Sequence, residues 1–243
     1  DLVSGNVAVS CTPASGSTFG ITTTTVNCSA TDGASNTATG SFHVTVEDTT
    51  PPSISPHAAV NAIAAGNAGA NVTYTDPTAS DLVDGARPVS CTPASGTWFN
   101  AGASTVTCKS SDTRNNEATS TFQVNVSFAF GGFFSPVDNL PTVNVVNAGQ
   151  AIPVKFSLGG NQGMAIFAAA GYPKVVVMAC AGTVTDAIEE TVTAGNSSLS
   201  YDTGTARYNY VWKTDKAWAG TCRQLQLKFI DGSTQTANFN FKK

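Results

Sequence analysis

The sequence predicts an all-β protein of three tandem β-sandwich domains, the first incomplete at its N-terminus. Residues 1–46 align without a gap on residues 81–126, with 23 of the 46 positions identical, so the chain holds a duplicated module. Segments 24–31, 38–46, 104–111 and 118–126 alternate, at least in part, apolar with polar residues, the period of a half-buried strand. Charged residues make up only 12% of the 243, while Thr, Ser, Asn, Gly and Ala abound. That composition suits short strands joined by turns and suits long helices poorly.

The first copy begins partway through the pattern, so residues 1–48 read as a partial repeat and 49–127 as a complete one. Val9-Ser10-Cys11-Thr12-Pro13-Ala14-Ser15-Gly16 recurs as Val89-Ser90-Cys91-Thr92-Pro93-Ala94-Ser95-Gly96. Pro13-Ala14-Ser15-Gly16, Asp32-Gly33-Ala34-Ser35-Asn36 and Arg114-Asn115-Asn116 are rich in residues that tolerate turn angles and read as hairpin connections. Asp48-Thr49-Thr50-Pro51-Pro52 then breaks the ladder, because two prolines remove two donors and fix extended angles.

The six cysteines fall into pairs by position. Cys11 goes with Cys28, Cys91 with Cys108 at the same repeat positions, and Cys180 with Cys222 by elimination. In the chain-entropy model each small loop contributes about 3 kcal/mol and the larger one about 4 kcal/mol. Disulfides imply an oxidising place, so the chain is expected to be extracellular, secreted or on a cell surface. No CxxC pair exists, which leaves a metal-thiolate site without its usual spacing.

A third domain, 128–243, includes at its start an aromatic connector in which Phe128, Phe130, Phe133 and Phe134 crowd seven residues. Burial of each is worth about 1.5–3 kcal/mol, so the connector is expected to pack between domains. Alternation continues in 206–212, 223–229 and 237–241, and Trp212 and Trp218 are expected in strands of the core. Asp186-Ala187-Ile188-Glu189-Glu190 fits a single helical turn.

Two resemblances rest on these residues. Cys91-Thr92-Pro93-Ala94-Ser95-Gly96, then Ser104-Thr105-Val106-Thr107-Cys108 with Asp112 and Asn116, and the inter-repeat Asp48-Thr49-Thr50-Pro51-Pro52, resemble the hyalin repeat. The resemblance implies an immunoglobulin-like extracellular module. Asn71-Val72-Thr73-Tyr74 and Asp81-Leu82-Val83-Asp84-Gly85 fall where that family has a strand and its acidic turn. Residues 128–243 resemble a small bacterial surface domain named for Pro-x-Lys-Phe, here Pro153-Val154-Lys155-Phe156, with Tyr210-Val211-Trp212 and Trp218-Ala219-Gly220-Thr221-Cys222 extending the likeness. That domain often ends multidomain secreted proteins.

Charge and motif narrow the function classes. The net charge of −4, with no basic cluster, argues against nucleic acid, and no apolar run of the roughly 20 residues a bilayer needs argues against membrane insertion. With the cysteines oxidised and His43 and His57 in strand and linker positions, no nucleophile stands beside a base, and no enzyme is expected. Glu189 and Glu190, adjacent in sequence, would point to opposite faces of a strand. Asp32, Asp48, Asp81, Asp84 and Asp112 offer oxygens suited to calcium at domain junctions, although turn formation alone accounts for the same residues. No other cofactor is expected. Trp98, where the first copy has Thr18, is either an aromatic platform for sugar or a packing residue.

The resulting expectation is a structural and adhesive rod of a bacterial cell surface, contacting copies of itself or cell-surface proteins and glycans. Two alternatives accompany it. One is a filament subunit assembled as a homopolymer by strand addition to the open first repeat. The other is a carbohydrate-binding accessory module of a secreted protein.

Overall fold

The computed structural model describes residues 2–3, 5–169, 171–180, 184–193 and 195–242. Among the described residues there are twenty-one strands and a single 3-10 turn, Lys216–Trp218. The first copy supplies β1 (Val9–Thr12), β2 (Thr23–Thr31) and β3 (Thr37–Thr45). Nine strands follow: β4 (Ser53–Ile54), β5 (Val60–Ile63), β6 (Gly69–Val72), β7 (Ala79–Asp81), β8 (Gly85–Arg87), β9 (Ser90–Thr92), β10 (Thr97–Asn100), β11 (Gly102–Ser111) and β12 (Glu117–Ser127). The remainder carries β13 (Phe133–Phe134), β14 (Val143–Asn147), β15 (Ala151–Phe156), β16 (Lys174–Met178), β17 (Thr185–Ala187), β18 (Ser198–Asp202), β19 (Arg207–Lys213), β20 (Cys222–Lys228) and β21 (Thr234–Lys242).

Contacts divide the chain into two compact units. The first comprises Asp1–Ile54, Thr78–Pro88 and Ser110–Ala118. It holds the antiparallel sheet β1-β2-β3 and the small sheet β4-β7-β8. Along β2 the side chains alternate as the sequence pattern requires, with Val26 fully covered and its neighbours Thr25 and Asn27 in water. On the wet face Thr23 bonds Thr45 at 3.0 Å, Thr25 bonds His43 Nδ1 at 3.1 Å and Thr31 bonds Thr37 at 2.9 Å, a cross-strand ladder that fixes the register. Cys11 and Cys28 face each other across β1 and β2 and are joined.

The second unit comprises Ser55–Pro77, Val89–Lys109 and Thr119–Lys243. Its repeat-derived part pairs the sheet β5-β12-β11-β9 with the ribbon β6-β10, and β5 runs parallel to β12. Val106, Cys108, Phe122, Val124 and Val126 point inward from β11 and β12, and Ala70, Val72 and Phe99 meet them from the ribbon. His57 stacks on Phe122 with ring centres 4.0 Å apart, and Tyr74 meets the same ring edge-on at 5.0 Å. The Tyr74 hydroxyl donates to the Pro93 carbonyl. Cys91 and Cys108 are joined within this core.

The C-terminal part is a sandwich of β13-β15-β19-β18 against β16-β20-β21-β14-β17. Phe156, Tyr208, Phe229, Phe239 and Phe241 fill it, with Ile152, Leu158, Leu225 and Leu227 between them. Cys180 is joined to Cys222. Its core is continuous with that of the repeat. Phe128 meets Phe229 edge-on at 6.0 Å while its backbone N–H donates to Asp231 Oδ2 at 2.7 Å. Phe130 packs edge-on against buried Phe133 at 5.3 Å, and Arg207 lies 3.7 Å over the Phe134 ring.

Two local expectations are corrected. Residues 186–190 make no helical turn: Thr185–Ala187 is β17, which pairs in parallel with β14. The free edge of β14 supplies a ladder that one isolated helical turn cannot match. Trp218 lies in the 3-10 turn, where Asp215 caps the backbone, and of this pair Trp212 alone is in a strand.

Candidate functional site

Asp48, Asp81 and Asp112 come together from three separate segments: the connector after β3, the end of β7 and the turn after β11. Each is there for the same local reason: an aspartate side chain accepts from backbone N–H groups a few residues on and so folds its own turn. Asp48 Oδ1 accepts from Thr50 N at 3.1 Å. Asp81 Oδ1 accepts from Val83 N at 2.8 Å and Asp84 N at 2.9 Å. Asp112 Oδ1 accepts from Arg114 N at 2.8 Å and Asn116 N at 2.7 Å, and its Oδ2 accepts from Asn116 Nδ2 at 2.6 Å. The same amide also donates to the Asp48 carbonyl at 3.0 Å, tying that connector to the turn.

One carboxylate oxygen of each residue lies within 4.8 Å of the others. Asp81 and Asp112 are only 5% and 4% exposed. Asp48 is half-buried as a residue, but its Oδ2, like Asp81 Oδ2, is shielded from solvent and accepts no hydrogen bond from any described group. Asp112 titrates below the usual carboxylate range although burial pushes it up, because bonds from Asn116 and Arg114 and the charge of Arg87 outweigh burial. Chemically the cluster is an all-oxygen, anionic pocket.

The other two acidic candidates stay outside it. Asp84 spends both oxygens on Thr113, at 2.6 Å to its N–H and 3.0 Å to its hydroxyl, and these bonds hold its carboxyl low. Asp32 is the first-copy counterpart of Asp112, bonded in the same way to Ala34 and Asn36, and its carboxyl is held low chiefly by the Asn36 side chain.

Trp98 lies in β10, opposite Asn71 of β6, and is 45% exposed. A side chain at Gly69 would strike its ring, so one part of the indole covers that glycine, while Nε1 donates to Asn100 Oδ1 at 3.1 Å. Glu190 pairs with Lys155 at 2.7 Å and so is engaged in an ion pair.

One polar residue had no signal in the sequence. Gln162, 2% exposed, accepts at Oε1 from Ala68 N at 3.1 Å and donates from Nε2 to Ala64 O at 3.4 Å, joining the C-terminal sandwich to the repeat core. It sits in a polar loop with no periodicity, so nothing in the sequence distinguishes it from its exposed neighbour Asn161.

Comparison with known proteins adds three findings. The family model described as HYR domain matches residues 1–46 and again 47–126. Hyalin of Strongylocentrotus purpuratus is 38% identical over 159 residues, covering 63% of this chain and 12% of that protein. Hyalin of Lytechinus variegatus is 33% identical over 145 residues, covering 58% of this chain and 26% of that protein. The chain therefore spans at most about a quarter of these relatives. Among solved structures, the extracellular domain of protocadherin GammaB4 aligns over 90% of this chain and 36% of its own, at 13% identity and a TM-score of 0.27.

Proposed function

Because the chain belongs to the HYR domain family, we propose that it is a non-catalytic structural and adhesive element of an extracellular surface, spacing and contacting its neighbours. The observation that supports this most directly is the continuous core of the second unit. Phe128, Phe229 and Gln162 join a repeat to the next sandwich without a loose linker, as stiff spacing requires. Three disulfides fit an oxidising location. The likeness of residues 128–243 to the Pro-x-Lys-Phe domain supports a bacterial cell surface as the setting. Partners on this reading are other copies of the chain or cell-surface proteins and glycans.

Beads coated with the 243-residue chain test it. They are expected to aggregate with one another or to bind cell surfaces. Coated beads indistinguishable from bare ones in both assays would overturn the adhesive reading.

A filament subunit is the second reading, favoured by Phe42. This residue is 53% exposed on the sheet β1-β2-β3, whereas its counterpart Phe122 is 6% exposed. A strand from another chain laid over that face would cover it. Electron microscopy of native material distinguishes the two readings, since regular fibres support assembly and separate particles reject it. A glycan-binding role for half-exposed Trp98 is rejected if the Trp98→Ala variant gives an unchanged sugar-array profile.

A further inference from the structure

We propose that Asp48, Asp81 and Asp112 form a calcium site that fastens the connector after the first repeat to two turns of the second. The proposal goes beyond the adhesive reading and stands on different residues. Two carboxylate oxygens, Asp48 Oδ2 and Asp81 Oδ2, are buried without a donor, and one oxygen of Asp112 lies within 4.8 Å of the cluster. Leaving such groups unpaired is costly, and three like charges at this separation repel one another. Arg87, whose charge acts on Asp112, spends its Nε on the Ser111 carbonyl and gives nothing to either orphaned oxygen. What satisfies all three is a small cation.

The donor set selects which one. Every group is an oxygen and three are carboxylates, while His and Cys are absent from the cluster. Zinc prefers nitrogen and sulfur, and magnesium is held through one or two carboxylates with several waters. Calcium accepts several carboxylates in flexible geometry, with water completing its six to eight ligands. The Oδ1 atoms of Asp48 and Asp81 are already fixed by turn N–H groups, so Oδ2 is presented without further ordering. Repeat arithmetic bears on the stoichiometry. The residues 80 positions after Asp48, Asp81 and Asp112 are Phe128, Asn161 and Val192, so the triad does not recur in the C-terminal part.

The test uses the chelator-stripped 243-residue chain, titrated calorimetrically with calcium or magnesium chloride and melted in each salt and in EDTA. One calcium is expected to bind, with Kd of about 10⁻⁴–10⁻³ M as in extracellular modules, and to raise Tm where equal magnesium does not. Asp81→Asn and Asp48→Asn are each expected to weaken binding by roughly tenfold or more. In EDTA both should melt at or above the parent, since each removes one repelling charge. The half-buried position of Asp48 keeps the test available if the Asp81 variant fails to fold. Asp202→Asn, in a C-terminal turn, should leave the response intact. Identical melts in calcium and EDTA with no binding heat, as when water or a shared proton satisfies the oxygens, would overturn the site. So would a response that survives in both triad variants, or one that Asp202→Asn abolishes equally.

Discussion

The two copies of the repeat share three strands, with β1, β2 and β3 matching β9, β11 and β12, and share the aspartate turn and the position of their disulfide, yet they differ in what those strands bury. Val26 and Val106 are both covered, but Phe42 is largely in water while Phe122 is enclosed. Enclosure of Phe122 comes from residues outside the duplicated stretch: His57 and Tyr74 contact its ring, β5 lies along β12, and β6 pairs with β10 to form the ribbon. Identity at aligned positions therefore sets strand and turn, whereas the core depends on what is laid across them.

The largest expected difference is at that phenylalanine. Phe122→Ala should cost about 3–5 kcal/mol by urea unfolding and Phe42→Ala under ~1 kcal/mol. Equal losses would mean that something covers Phe42 in solution and would break the contrast. Gln162→Ala comes next, at about 2 kcal/mol, because it strips the partners from Ala68 N and Ala64 O. Hydrogen exchange should quicken in 60–72 and stay unchanged in 23–45, which separates the fate of the two copies.

Trp98→Thr gives the second copy a β-branched polar residue where the first has Thr18, and should lose about 1 kcal/mol as Gly69 is uncovered. A neutral result would mark the indole as free for other contacts. The smallest effect contrasts two kinds of aspartate. The Asp32 turn holds its carboxyl low, whereas burial, followed by the charges of Asp186 and Glu189, pushes Asp138 up. For Asp138 the fold prefers the protonated form. Stability therefore falls as pH rises from the ordinary 3.8 through the raised value. Asp138→Asn should raise Tm by ~2 °C at pH 7, with the gain gone by about pH 3, as followed in paired thermal melts.

The sheet architecture was legible because its cause is local. Period-two alternation in 104–111 and 118–126 and the Asp-x-x-x-Asn turns at 32–36 and 112–116 determine β2, β3, β11 and β12 almost to the residue. Residues 186–190 were misread because β17 owes its form to a neighbouring edge, which a five-residue window does not contain. The acidic candidates were legible as a set but not as a site. All five sit in or beside turns and connectors, and what separates Asp48, Asp81 and Asp112 from Asp32 and Asp84 is three distant segments meeting, with two oxygens left over. Gln162 was invisible for the same reason, since its partners lie nearly a hundred residues away.

Strand direction has a mechanical consequence. In the C-terminal sandwich β14, near the entry of the chain, runs parallel to β21, its exit, from Val143 opposite Asn238 to Asn147 opposite Lys242. In the repeat before it β5 lies parallel to β12 in the same sense. Tension drawing the N-terminal end of such a module away from its C-terminal end slides the two strands along each other. The rungs between them are strained together instead of opening one after another. A chain stretched between two anchors would then yield only when a whole row gives way at once.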